Sequence, residues 1–280
     1  AFLIDLSTTL KTDIVETVRS SGASLVVVDL HNDKVQAILP HLYNLLFARI
    51  RFIDMDRMYE DMFDRIPVSL VKHNWFLENV STSPKFVYDI LKRLMDISLA
   101  LILGFCSLVL YPFVALAIKL EDKGPIFIFQ DRIGKNDSRI RIIKFRSMSV
   151  AAQDSTGASR EQSVTKIGAF IRKTRIDELP QLWNVLVGDL SLIGPRPELP
   201  PFVRLYEKEI PFYGVRHLIK PGLSGWAQLY HTTPPKFSAS NEDTTMKLSY
   251  DLYYIKNRSF LLDIMIALKT VRELVSRKGR

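Results

Sequence analysis

At 280 residues, 47% of them hydrophobic, the chain can bury one large core or two smaller ones, which excludes a disordered, tail-like polypeptide. Its net charge of +8 calls for an acidic partner: nucleic acid, anionic lipid or phosphorylated small molecules. The single cysteine, Cys106, excludes an intrachain disulfide and fits a reducing, cytosol-facing location.

The chain opens AFLIDL, with neither Met nor a charged-then-apolar leader, and reads as though it begins inside a longer protein. Residues 1–66 alternate strand and helix signals. Phe2–Leu6 reads as a short strand, Asp13–Arg19 as helix, and Ser24–Leu30 as an apolar, β-branched strand of the kind buried in a parallel sheet. Asp33–Ala48 reads as helix broken or restarted at Pro40, Arg49–Asp54 as strand and Met55–Phe63 as helix. This alternation predicts an α/β layered unit. No G-x-G-x-x-G loop is present, so a structural or regulatory role is expected rather than nucleotide binding. Residues 67–88, with Pro67, Pro84 and a Ser/Thr cluster, read as a linker that Trp75 and Phe76 could dock.

Ile97–Ile118 contains no charged side chain over 22 positions, enough for a helix at about 1.5 Å per residue to cross a bilayer core. Lys92, Arg93, Lys119 and Lys123 flank it on both sides, and the positive-inside rule prefers both flanks on one face. Pro112 would kink the helix and let it dip into one leaflet and return, with Ser107 satisfying a freed carbonyl. A straight span and a buried helix of a soluble core are the alternatives.

Gly124–Gly134 reads as a strand leading to a turn. Arg139–Met148 interleaves Arg139, Arg141, Lys144 and Arg146 with apolar residues, which suits a phosphate-binding ribbon or a charge-protected edge strand. Residues 150–162 read as a mobile loop and Thr165–Thr174 as a basic helix. In Lys173–Leu186 two adjacent carboxylates, Asp177 and Glu178, follow Arg172, Lys173 and Arg175 and precede Pro180, which suits a first helical turn. Carboxylates, cations and helix-end N–H groups together could handle a phosphate and a divalent metal; alternatively Thr174 and Asp177 form a capping box. Pro195 and Pro197 restrict Arg196, a rigid fork for phosphate or a plain turn. Pro201–Arg216 reads as helix, Lys220–Gln228 as a Gly/Pro turn holding Trp226, and the last 30 residues as a Tyr-rich amphipathic stretch for a membrane surface or for packing.

From Asp89 onward the residues resemble the bacterial sugar transferase family, monotopic phosphoglycosyl transferases that act on polyprenyl phosphate. The matching motifs are KRLMD (92–96), the apolar run with Pro112, GPIF…Q-x-R-x-G through Gly134 and KFRSM (144–148). RKTRIDELPQLWNVLVGDLSLIGPRP (172–197), KPGLSGWAQ and DLYYIKNRS complete a collinear set over about 190 residues. MYEDMFDRIPVS (58–69) and WFLEN (75–79) are similar to large members, which carry transmembrane helices and a Rossmann-like domain ahead of the transferase.

The resemblance implies an α/β fold class: a partial, N-terminally truncated Rossmann-like domain (1–66), a linker (67–88) and a mixed α+β membrane-associated catalytic domain (89–280) with a re-entrant membrane helix at 97–118. It implies transfer of a sugar-1-phosphate from a UDP-sugar to polyprenyl (undecaprenyl) phosphate with release of UMP. This would be the first membrane step of exopolysaccharide, O-antigen or capsule assembly, on the cytoplasmic face of the bacterial inner membrane. Asp177 would be the nucleophile that forms a covalent adduct and Glu178 a catalytic partner and Mg²⁺ ligand. Lys144, Arg146, Arg172, Arg175 and Arg196 would bind substrate phosphate, and Pro112 would kink the membrane helix. Membrane lipid is an implied partner, and large members often pair through the added domain, so a homodimer is an option. A catalytically inactive, membrane-docked assembly module is the alternative. No nucleic-acid module pattern appears, and no nucleic-acid partner is expected.

Overall fold

The computed structural model describes residues 11–30, 32–69, 71–80, 85–149, 163–231 and 241–276, with the side chains of 11–13 left aside. The expected strand at Phe2–Leu6 and the loop at 150–162 lie outside the described residues. The chain forms two compact units, residues 1–72 and 73–280.

In the first unit, α1 (Lys11–Ser20), β1 (Leu25–Val28), α2 (Asp33–Gln36), α3 (Leu39–Tyr43), β2 (Arg51–Asp54) and α4 (Met55–Phe63) alternate as expected. Asn32 caps α2, and Pro40 occupies the first turn of α3, so the predicted 33–48 helix is restarted there. β1 and β2 pair in parallel, Leu25 opposite Arg51 through Val28 opposite Asp54. Ile14, Val18, Ile38, Leu42, Leu45 and Ile50 form the core, with Val26, Val28 and Phe52 against it. Burial of β1 on both faces is not what the structure shows. Leu25 and Val27 are exposed, because strand residues alternate and the described core covers one face.

The second unit begins with α5 (His73–Asn79), inside the stretch read as linker. Trp75 is buried, and Phe76 lies 4.5 Å from Phe212, ring centre to ring centre. Next come α6 (Phe86–Leu108) and α7 (Tyr111–Asp122), bent by 57°. The break falls at Val109 and Leu110, two residues ahead of the predicted kink. Pro112 sits in the first turn of α7, where its missing N–H is no loss. Ser107 donates to the Gly104 carbonyl one turn back, at 2.7 Å. Among the described residues no single helix is long and apolar enough to cross a membrane, whereas this bent pair together meets that test. Its outer face is apolar and bare, with Phe105 79% and Phe113 68% exposed.

β3 (Phe127–Ile133) and β4 (Arg139–Phe145) form an antiparallel ribbon, Phe127 opposite Phe145. α8 (Lys166–Lys173), α9 (Leu182–Val187), β5 (Ser191–Ile193) and α10 (Pro200–Glu209) follow. The helix predicted for 201–216 stops at Glu209, and left-handed Phe212 (φ 61°) leads into a 3₁₀ turn at Tyr213–Leu218. The predicted Gly/Pro turn at 220–228 contains β6 (Gly222–Ser224) and the start of α11 (Trp226–Tyr230). β5 and β6 pair in parallel, and a Cβ on Gly222 would lie 2.1 Å from the Gly194 nitrogen, so no side chain fits there. α12 (Asn241–Asn257) and α13 (Phe260–Val275) divide the C-terminal stretch at Ser259, the cap of α13. The packing reading of that stretch holds for α12, which buries Leu248, Leu252 and Tyr254, while α13 exposes Leu261, Leu268 and Val275.

The charged end of α6 ties this unit together. Arg93 donates to the Val185 and Leu186 carbonyls at 2.7 Å each, completing the C-terminus of α9. Lys92 donates to Ile193 O and to buried Asp263, and Asp96 accepts from the Leu192 N–H. The Lys92 and Arg93 charges, read from the sequence as topology signals, make these structural contacts. We expect Arg93→Ala to lower stability by about 2–3 kcal/mol through loss of two charge-assisted bonds. Exposed Lys119→Ala should stay within about 0.5 kcal/mol; thermal unfolding in detergent compares the two.

Candidate active site

The acid pair is placed by a reversal of the chain rather than by a regular helix start. α8 is N-capped by Thr165, whose hydroxyl accepts from Gly168 N at 2.9 Å. At its far end Thr174 donates back to Phe170 O at 2.9 Å, so Thr174 closes α8 and the alternative capping box with Asp177 does not form. Arg175 then adopts a left-handed conformation (φ 58°), and Ile176–Gln181 winds as a 3₁₀ turn into α9. The tighter winding lets consecutive carboxylates differ in surroundings while both border the same site.

Glu178 receives the cations. Its Oε1 is 2.5 Å from Arg196 Nη2 and 3.8 Å from Lys144 Nζ, and its Oε2 is 3.3 Å from Arg175 Nη1. Burial pushes the Glu178 carboxyl up, but Arg196 and Lys144 outweigh it and hold the group at about 2. Asp177 is 8% exposed. Burial and then the Glu178 charge push it up to about 6, with Lys144, Arg172 and Arg196 opposing only partly. Burial, followed by Arg196, brings Lys144 down to about 8.

Lys144 reaches Glu178 because β4 side chains alternate. Arg139 and Arg141 point outward, and Lys144 shares the opposite face with Ile140 and Ile142. The ribbon thus does not gather its cations on one side. Asn184 fastens α9 to β4, accepting from Ile143 N at 3.1 Å and donating to Arg141 O at 2.9 Å. Lys144, Arg175 and Arg196 of the predicted phosphate set meet at Glu178, and exposed Arg172 acts on Asp177 through space. Arg146 goes elsewhere: it is buried against Asp122 at the end of α7.

Arg196 is held from behind. Arg216 donates to the Arg196 carbonyl at 3.0 Å, and Arg132 donates to the Pro197 carbonyl at 3.0 Å. Arg216 is fixed by Asp251 at 2.8 Å and Tyr213 at 2.5 Å. Glu198 joins Lys247, Arg216 and Arg132; burial raises its carboxyl, but Lys247 and Arg216 hold it at about 2. Arg132, Lys144, Gln181 and Arg196 line a cleft, with Gly222 at its wall. The guanidinium fork of Arg196 at this cleft is of the kind that matches phosphate oxygens.

The supporting residues Arg132, Asn184, Glu198, Arg216, Lys247 and Asp251 have no role in the sequence reading. Gln130 and Arg132 carry a usable signal: two apart on a strand, they share a face, and Gln130 accepts from Arg132 at 2.6 Å. Arg216 and Asp251 are 35 positions apart and carry none.

The sequence profile of the family described as "Bacterial sugar transferase" matches residues 87–277, and the chain belongs to that family. It is 40% identical over 259 residues to the UDP-N-acetylgalactosamine-undecaprenyl-phosphate N-acetylgalactosaminephosphotransferase of Aeromonas hydrophila, covering 91% of this chain and 59% of the relative. Identity is 39% over 200 residues to the exopolysaccharide production protein PSS of Rhizobium leguminosarum bv. phaseoli, covering 68% of this chain and 98% of that one. With the UDP-glucose:undecaprenyl-phosphate glucose-1-phosphate transferase of Escherichia coli (strain K12) it is 41% over 189 residues, 66% of this chain and 40% of the relative. The chain thus spans 59% and 40% of the Aeromonas and Escherichia relatives and nearly all of the Rhizobium one.

The two carboxylates should respond oppositely to neutralisation. A folded-state value of about 6 for Asp177, above the ordinary 3.8, means that its ionised form opposes folding above pH 6 and that this effect disappears below pH 4. Asp177→Asn should therefore raise stability at pH 8 by up to about 3 kcal/mol, and the gain should vanish near pH 4. Glu178→Gln should lower stability at pH 8 by about 3 kcal/mol, because it leaves Arg196 and Lys144 without their anion. Unfolding at both pH values checks the signs.

Proposed function

We propose that the chain is a phosphoglycosyl transferase that moves a sugar-1-phosphate from a UDP-sugar to polyprenyl phosphate through a covalent phospho-aspartyl intermediate. The observation that carries the proposal is the unequal sharing of cations: Glu178 holds three, while Asp177, buried beside it, keeps an undercompensated charge. A carboxylate in that state is a reactive oxygen nucleophile when ionised. An Asp177 oxygen attacks the phosphorus that bears the sugar. The bond from that phosphorus to the bridging oxygen breaks, and the electron pair leaves with UMP. A phosphate oxygen of the lipid then attacks the same phosphorus, and the Asp177 carboxylate departs. Arg196 and Lys144, in the cleft, offset the charge that builds on the phosphoryl oxygens. The names of the Aeromonas and Escherichia relatives join a UDP-sugar to undecaprenyl phosphate and support the same substrates here.

The acid pair also fits Mg²⁺. Among the described residues the ion-pair partner of Glu178 Oε2 is Arg175, whose side chain is 53% exposed and can swing away, and Asp177 adds a hard oxygen with spare negative charge. Mg²⁺ held there would neutralise a diphosphate.

For the membrane we propose a re-entrant geometry: α6 and α7 enter and leave through the cytoplasmic face of the bacterial inner membrane. The 57° bend, the bare apolar outer face and the charges at both ends support it. The acceptor phosphate lies at headgroup level, so a site on the side of Lys92 and Lys123 meets it there. The first unit, with its parallel β1–β2 pair and intervening helices, is proposed as part of a Rossmann-like regulatory domain and a place where two copies could pair. The step proposed is the first membrane reaction of exopolysaccharide, O-antigen or capsule assembly.

Purified protein given Mg²⁺ and a UDP-sugar labelled in the sugar should release UMP and carry the label. Asp177→Asn should lose both by at least about a thousandfold. Full turnover in that variant refutes the nucleophile assignment, and absent UDP-sugar binding favours an inactive assembly module. Single cysteines at Ile90 and Lys123, in a Cys106→Ser background, should both react with an impermeant thiol reagent in inside-out vesicles. Opposite accessibility would mean a straight span.

A further inference from the structure

Away from the acid pair, three side chains from three elements converge: Asp137 in the turn between β3 and β4, Glu207 on α10 and His217 in the 213–218 turn. One donor atom from each lies within 4.8 Å of the others, and His217 Nδ1 is 2.6 Å from Asp137 Oδ1. We propose that this triad binds a divalent transition-metal ion, at a second site separate from Asp177 and Glu178.

The donor set fixes the class of ion. One imidazole with two carboxylates suits zinc or manganese, whereas magnesium and calcium prefer oxygen alone. The spacing is close to what an ion needs. Bonds of about 2.0–2.2 Å place ligand atoms roughly 3 Å apart. Asp137, with its side chain 67% exposed, and exposed Glu207 can rotate to reach that spacing, while His217, 8% exposed, stays fixed.

The electrostatics point the same way. Among the described residues Glu207 has no Lys or Arg within ion-pair distance, and the ion-pair partner of Asp137 is His217 itself. Asp137 and Glu207 therefore place two carboxylates side by side with one imidazole. Arg216 does not repel the ion at full strength, because Asp251 and Glu198 flank it.

The backbone is committed to this arrangement. Asn136 and Asp137 are both left-handed, φ 53° and 58°, a conformation that ordinarily favours Asn-Gly. Asp at the second position accepts that strain while its carboxylate meets His217. An ion there would clamp the β3–β4 turn, α10 and the 213–218 turn together. Arg216, next to His217, carries the Arg196 carbonyl, so the clamp would brace the active-site arginine from outside.

The test uses the untagged full chain in detergent, stripped with chelator and returned to excess Mg²⁺ before zinc is titrated by calorimetry. Metal content after desalting is read by mass spectrometry. One zinc per chain is expected, with a rise in unfolding temperature. Glu207→Gln and Asp137→Asn, both at exposed side chains, should each weaken zinc binding by about tenfold or more while keeping the wild-type circular dichroism. Asp177→Asn should leave zinc binding unchanged. A chain that retains no zinc overturns the proposal. So does zinc that survives Glu207→Gln or is lost in Asp177→Asn, which would place it at the acid pair. UMP release is a separate readout, so failure here leaves the proposed transferase reaction standing, and the converse also holds.

Discussion

Two consecutive carboxylates cannot both be buried and ionised unless cations compensate them, and Arg196, Lys144 and Arg175 all contact Glu178. That allocation sets the rest of the site. One acid becomes a fixed anion that organises three cations, and the other is left high in pKa beside them. Paired groups whose surroundings push them apart are the usual basis for a division of chemical labour. Here the separation comes from a 3₁₀ turn behind a left-handed Arg175, which aims neighbouring side chains at different surroundings.

Cations can gather there only if their backbones are held. Lys144 comes from β4, which Asn184 joins to α9. Arg196 lies between two prolines, with its carbonyl on Arg216 and the next carbonyl on Arg132. α9 is in turn completed by Arg93 from α6. A chain of hydrogen bonds therefore runs from the apolar, bent helix pair to the acid pair. In the proposed re-entrant geometry, the helix that would set the height in the membrane also closes the helix that follows the acid pair.

Much of this was legible in the residues. Strand–helix alternation located every element of the first unit that lies among the described residues. The charge-free run, Pro112, the acid pair and the proline-bracketed Arg196 were visible as local patterns. What stayed hidden depended on long-range contact. Arg146 resembles Lys144 in sequence, yet β4 ends between them, and Arg146 turns onto Asp122 rather than Glu178. Arg216 and Asp251 carry no local signature, although Arg216, held by Asp251, fixes the Arg196 carbonyl. Lys92 and Arg93 looked like flanking charges because a sequence shows their sign and not the carbonyls they meet. Val27 looked buried because its apolar neighbours do not reveal which face of a two-stranded pair lacks cover.

The unequal allocation of charge can be measured at the carboxyl group itself. Infrared difference spectra between wild type and Asp177→Asn, titrated without metal or substrate, isolate the Asp177 carboxylate band. The structure predicts a midpoint at about 6, well above the ordinary 3.8. A midpoint at or below the ordinary value would mean that the cations serve both acids equally, and it would contradict the division of roles between Asp177 and Glu178.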